Sequence, residues 1–153
     1  MTKSRPACAI RDAAPDEAPE IAGLLITSIT ALCAADHNDD PAEIAAWTAN
    51  KTAENVRRWI GAPGMVALVA LRQGRCAGVA MGDASGATRL IYAAPEHRFT
   101  GVSDALLARL EASLAAAGAS VGRLRTTRTA REFYLARGWT ATGEDDALEK
   151  RLS

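Results

Sequence analysis

The stretch Ile91–Gly118, IYAAPEHRFTGVSDALLARLEASLAAAG, decides the fold. It runs from an apolar, strand-like piece through a proline into a loop of small residues, then into a long amphipathic helix. Leu106, Leu107, Leu110 and Leu114 recur at helical spacing and put a leucine stripe on one face. Gly118 is a natural stop for that helix. A tight strand-to-helix turn would need small residues and nothing more. An anion site would need them too, because the first N–H groups of a helix lack partners and carry the positive end of the macrodipole. Gly101 and Ser103 let a phosphate approach that backbone, and Arg98 adds a planar cation. The stretch has neither the Gly-Lys-Ser/Thr of a P-loop nor the three glycines of a dinucleotide fingerprint.

Upstream, Ala7–Arg11 reads as a first strand. A helix follows, with Ile21, Leu24, Leu25, Ile29 and Leu32 on one face and Asp16 available as a cap. The polar run Ala34–Pro41 breaks it. Asp40, Pro41 and Glu43 resemble a cap, a first-turn proline and a capping-box acid, so a second helix starts near Pro41. Thr52 caps a further helix through Ile60. Met65–Leu71, Cys76–Asp83 and Ala87–Ala93 read as three strands joined by short turns, hence antiparallel hairpins. Downstream come a strand over Ser120–Thr127, a short helix over Thr129–Gly138, and strands at Trp139–Thr142 and Asp146–Leu152. This order predicts an α+β fold over a single domain, residues 1–153.

Composition narrows the partners. Hydrophobic residues make up 48% and charged residues 24%, with no formal net charge, which argues against nucleic acid as the main partner. Cys8, Cys33 and Cys76 are odd in number and widely spaced, giving neither a disulfide framework nor a zinc pattern. They read as reduced thiols of a cytoplasmic protein. The start, MTKSRPACAIRD, lacks the apolar core of a secretion signal, and no run is long enough to span a membrane.

A second motif lies in REFYLARGW. Phe133-Tyr134 is followed, after three residues, by Gly138-Trp139, a pattern that average composition produces in roughly one chain in a thousand. Phe133 reads as core. Tyr134 carries a hydroxyl that needs a partner if buried, which makes it a candidate proton donor.

At these residues the chain resembles the GCN5-related N-acetyltransferase (GNAT) family. The family's cofactor segment, Val/Ala-x-Pro then Arg/Gln-x-x-Gly-x-Gly/Ala opening a helix, stands here as Ala93-Ala94-Pro95 and Arg98-Phe99-Thr100-Gly101-Val102-Ser103. Its later segment, Asn-x-x-Ala-x-x-Phe-Tyr-x-x-x-Gly-Phe, stands here as Thr127, Ala130, Phe133, Tyr134, Gly138 and Trp139 at the same spacing. Phe99 replaces a common Gly, Ser103 a Gly/Ala, and Thr127 an Asn.

The resemblance implies a mostly antiparallel mixed sheet of about seven strands flanked by about four helices, splayed at the cofactor strand. It implies acetyl-CoA, with the backbone of Ile91, Tyr92 and Ala93 along the pantetheine arm. Arg98, Phe99, Thr100, Gly101, Val102 and Ser103 would lie around the pyrophosphate, with Thr127 and Tyr134 also contacting the cofactor. The implied reaction is direct attack by a primary amine of a small molecule or amino group, with Tyr134 as general acid. A non-catalytic acyl-CoA-binding domain is the alternative, and a homodimer would follow the family pattern. The strand Ala87–Ala93 lacks the Glu that many relatives carry as base. Asp36 and His37, in the loop after the first helix, are the candidates in its place, and Asp83 ends the preceding strand. His97 reads as a surface residue, and Trp47 and Trp59 as helix packing or as a shelf for the acceptor.

Overall fold

The computed structural model describes residues 8–152. Two sheets carry the chain. The first has four antiparallel strands in the order β1 (Ala9–Asp12), β2 (Met65–Arg72), β3 (Arg75–Asp83) and β4 (Thr88–Ala93). The second orders β5 (Val121–Arg125), β7 (Ala147–Arg151) and β6 (Thr140–Ala141), also antiparallel. Seven strands were expected, and seven are described. They form two sheets because β4 and β5 touch only at one end, through a parallel bridge between Ala87 and Arg123. Beyond that bridge the strands diverge, which is the expected splay.

Six helices are described where about four were expected: α1 (Ala18–Leu32), α2 (Ala34–His37), α3 (Pro41–Thr48), α4 (Ala53–Ile60), α5 (Val102–Ala116) and α6 (Arg131–Leu135). The surplus comes from α2, a single turn in the stretch read as a loop, and α6 has only five residues. Local chemistry sets the ends. The Asp40 carboxylate accepts from Ala42 N–H, and the Thr52 hydroxyl accepts from Asn55 N–H, so both expected caps are present. At the entry to α1 neither the expected cap Asp16 nor Glu17, the residue before the helix, caps an α1 N–H; the Glu17 carboxylate instead reaches back to accept from Ala14 N–H at 2.8 Å and from Arg11 at 2.7 Å.

The strands alternate between two helical layers. Val69, Val79 and Met81 face Ile21, Leu25 and Val56 of α1 and α4. Leu68, Ala70 and Ala80 face Val102, Leu106, Leu110 and Leu114 of α5, so the leucine stripe is buried as its spacing required. Gly78 lets α5 come close, since a Cβ there would lie 2.6 Å from the Val102 side chain. A third cluster of Leu107, Leu124, Tyr134, Trp139 and Leu148 fixes the second sheet to α5 and α6. No helix among the described residues is long and apolar enough to cross a membrane.

Candidate active site

The divergence of β4 and β5 leaves a cavity of about 490 Å³ whose walls include both strands, the end of α1, the start of α5 and α6. β4 pairs with β3 along one edge only, so from Thr88 onward its other edge turns N–H and C=O groups towards the cleft. Ile91, Tyr92 and Ala93, expected along the cofactor arm, line this cavity. An extended, amide-bearing chain could pair with such an edge as an added strand does.

The loop after β4 closes one end. Gly101 is the residue before α5, with φ +90° and ψ 0°, and no side chain caps the helix. Arg98, Phe99, Gly101, Val102 and Ser103 line the cavity; Thr100, expected with them, instead points its carbonyl at Arg72. The Arg98 guanidinium lies 4.5 Å from the centre of the Phe99 ring, and Phe99 is 82% exposed at φ +61°. A bulky side chain is uncommon in that left-handed region, which fits the glycine that relatives often have there. Small residues, unpaired helix N–H groups and a cation therefore converge on the cleft, as an anion site requires.

Tyr134 reaches the cavity from α6. It is 6% exposed, packs edge-on against Phe133 and Trp139, and its hydroxyl has no hydrogen-bond partner among the described residues. Burial raises its pKa, so the phenol stays protonated at neutral pH. Tyr92 is raised likewise, chiefly by burial and then by Cys33 and Tyr134. Thr127 also lines the cavity, but its hydroxyl oxygen accepts from Ala130 N–H and so serves first to hold the turn into α6.

The expectation for His37 does not hold. His37 is 1% exposed and does not line the cavity. Its Nδ1 accepts from Asp39 N–H at 3.0 Å, which leaves the proton on Nε2 to be donated to the Ile29 carbonyl at 2.8 Å. The ring gives the Ile29 carbonyl, already bonded to Cys33 N–H, a second donor and packs against Trp47, whose expected packing role this contact supports.

Asp36 is engaged as well. Its carboxylate accepts from Arg128 N–H at 2.7 Å, Thr129 N–H at 3.1 Å and the Thr129 hydroxyl at 2.6 Å. It clamps α2 to the loop between β5 and α6, across the mouth of the cleft, and leaves no free carboxylate to act as base. Burial works to raise its pKa, but the hydrogen bonds from Thr129 and Arg128 outweigh it and hold the carboxyl below its ordinary value. The clamp is therefore fully formed at neutral pH and is lost as pH falls through that lowered value. Asp36→Ala should lower unfolding free energy at pH 7 by about 2–3 kcal/mol, with the gap to wild type narrowing below about pH 4. Urea melts across that range check it; a gap independent of pH would mean packing rather than the ionised clamp.

Sequence reasoning missed two side chains of this cavity. Cys33 lies in its wall, 3% exposed, and burial pushes its thiol pKa up to about 11, with Asp36 adding and Arg98 and Thr129 opposing. Arg137 is held by Asp104 through two hydrogen bonds and lies 3.9 Å from the centre of the Phe133 ring. Only its four-residue spacing from Phe133 signalled that contact. Asp83, the other acid considered, is taken up by Arg89 and Ser85.

A family profile described as an acetyltransferase (GNAT) domain matches residues 33–151. Among solved structures, the chain is similar to a GCN5-related N-acetyltransferase, also titled a class-II aminotransferase, from Rhodopseudomonas palustris. The two are 25% identical with a TM-score of 0.85, covering 99% of this chain and 98% of that one. A PaiA N-acetyltransferase from Thermoplasma acidophilum, solved with coenzyme A, is 17% identical with a TM-score of 0.81, covering 95% and 99%. An aminoglycoside 6'-N-acetyltransferase from Enterococcus faecium is 14% identical with a TM-score of 0.72, covering 95% and 97%. The last two likenesses are of fold. No curated protein sequence matches the chain.

Proposed function

The chain belongs to the GNAT acetyltransferase family, and from that premise we propose that it is a single-domain enzyme moving an acetyl group from acetyl-CoA to a primary amine of a small molecule. One observation carries the reading. The open edge of β4, the uncapped start of α5 and the Tyr134 hydroxyl all meet in one cavity of about 490 Å³.

The residues fit the cofactor. The β4 edge at Ile91, Tyr92 and Ala93 suits the amides of the pantetheine arm, and Arg98 with the N–H groups from Gly101 to Asp104 suits the pyrophosphate. When bound, acetyl-CoA supplies an acetyl thioester as acyl donor. An alkylamine has a pKa of about 10.4, so the acceptor must lose a proton before it attacks. Among the described lining residues, Asp104 is the only carboxylate and is held by Arg137. The amine's proton therefore leaves through water or to His97, which also lines the cavity. Tyr134 keeps its proton at neutral pH and hydrogen-bonds the sulfur as its bond to the acyl carbon breaks; because the thiol is the stronger acid, about 8.5 against 10, any proton it passes to sulfur is replaced by the one the amine releases.

Thermal unfolding tests the cofactor. A ligand at 100 times its Kd stabilises the native state by about 2.7 kcal/mol, and for this size the midpoint should rise by about 5–10 °C. A rise with acetyl-CoA and coenzyme A but not ATP is expected. No rise at millimolar ligand would remove the reading, and acetyl transfer to a panel of primary amines then separates an enzyme from a non-catalytic binder.

A further inference from the structure

We propose that Arg72 is a positioning residue for the acyl donor, aiming the phosphate-binding loop through the Thr100 carbonyl; this rests on the reading of the cleft as an acetyl-CoA site. Arg72 ends β2, 28 residues before the loop, and does not line the cleft. It lies in a separate groove with Glu20, Glu96 and Cys76, and His97 of the loop borders both spaces. The loop is thus the partition between them.

Arg72 Nη2 donates to the Thr100 carbonyl at 2.7 Å. In a trans peptide the C=O and the following N–H point in opposite directions. With the Thr100 oxygen drawn towards Arg72, the Gly101 N–H points away from it, towards the cleft that Gly101 lines. No acceptor for that N–H is found among the described residues. A charge-assisted bond at the carbonyl also polarises the peptide and strengthens its N–H as a donor. The left-handed φ of +90° at Gly101 completes the geometry, which few residues besides glycine adopt.

Arg72 is an expensive residue to keep here. Its Nε is buried with no hydrogen-bond partner, and no carboxylate among the described residues pairs with it. The nearby Glu20 is used on the Cys76 N–H at 3.1 Å instead. A methionine would fill similar space without the orphaned donor. What arginine adds is the bond to Thr100.

Titration calorimetry with coenzyme A and with pantetheine, which lacks the pyrophosphate, tests this. Arg72→Met should bind coenzyme A about tenfold more weakly than wild type, and Arg72→Lys by an intermediate factor of about three. Pantetheine should bind all three proteins alike. Unchanged coenzyme A affinity in Arg72→Met overturns the inference and leaves the cofactor reading standing. Equal weakening of both ligands also overturns it, because it means general loss of structure. If Arg72→Met melts below the assay temperature, Arg72→Lys carries the same comparison. A wild-type protein that ignores coenzyme A overturns the functional reading and this inference together.

Discussion

Gly86→Ala is expected to destabilise the protein by about 3–5 kcal/mol, in the range reserved for a few named mechanisms. Gly86 has φ +100°, where a side chain is strained wherever there is room. Here there is none: a Cβ would sit 2.1 Å from the Val121 carbonyl oxygen. That neighbour is strand backbone, so it cannot rotate aside as a long side chain would. Gly86 also accepts from Arg123 N–H at 2.9 Å, next to the Ala87–Arg123 bridge. These are the contacts that join the two sheets at the narrow end of the cleft. The substitution pushes the sheets apart there, and coenzyme A affinity should fall with stability. Gly74→Ala is the control: φ is +75°, but nothing lies within 4 Å of the added Cβ, so only the backbone strain of about 1 kcal/mol applies. Equal losses in urea melts of the two variants would show that the Val121 contact relaxes freely.

The same junction explains what the sequence could and could not say. The caps at Asp40 and Thr52, the stop at Gly118 and the leucine stripe of α5 were legible because each depends on residues within one or two turns. The break between β4 and β5 was not legible from spacing, since it depends on where two strands distant in sequence stop pairing, beyond the bridge from Ala87 to Arg123, 36 positions later; only the family resemblance anticipated it. His37 misled because a histidine among acids reads as solvated. What holds it is the Ile29 carbonyl eight residues earlier, which takes the ring N–H as a second donor beside Cys33 N–H, a contact visible only when the chain is seen to turn back on the end of α1. Asp36 was read as a candidate base, whereas its three hydrogen bonds reach residues 92 and 93 positions away. Arg72 gave no signal at all, because its partner is a backbone carbonyl and backbone carbonyls leave no mark in a sequence.

Tyr134→Phe should lower kcat by a factor of about 10²–10⁴, the usual contribution of a positioned proton donor. It should leave the KM for acetyl-CoA within about twofold, because the hydroxyl acts on charge that develops at sulfur only in the transition state. Stability should barely change. Tyr134 lines the cleft and its hydroxyl has no partner among the described residues, so removing it breaks no hydrogen bond within the protein. The ring keeps its edge-on contacts with Phe133 and Trp139 in either variant. A residue that serves only packing would give unchanged turnover under conditions where chemistry limits the rate, and that outcome would sink the assignment. The pH profile adds a second check. Burial raises the Tyr134 pKa, which favours the protonated form, so loss of the donor cannot account for any fall in wild-type rate below about pH 10. An alkaline limb near pH 8 that disappears in Tyr134→Phe would assign that titration to Tyr134 itself and contradict the raised pKa of this phenol.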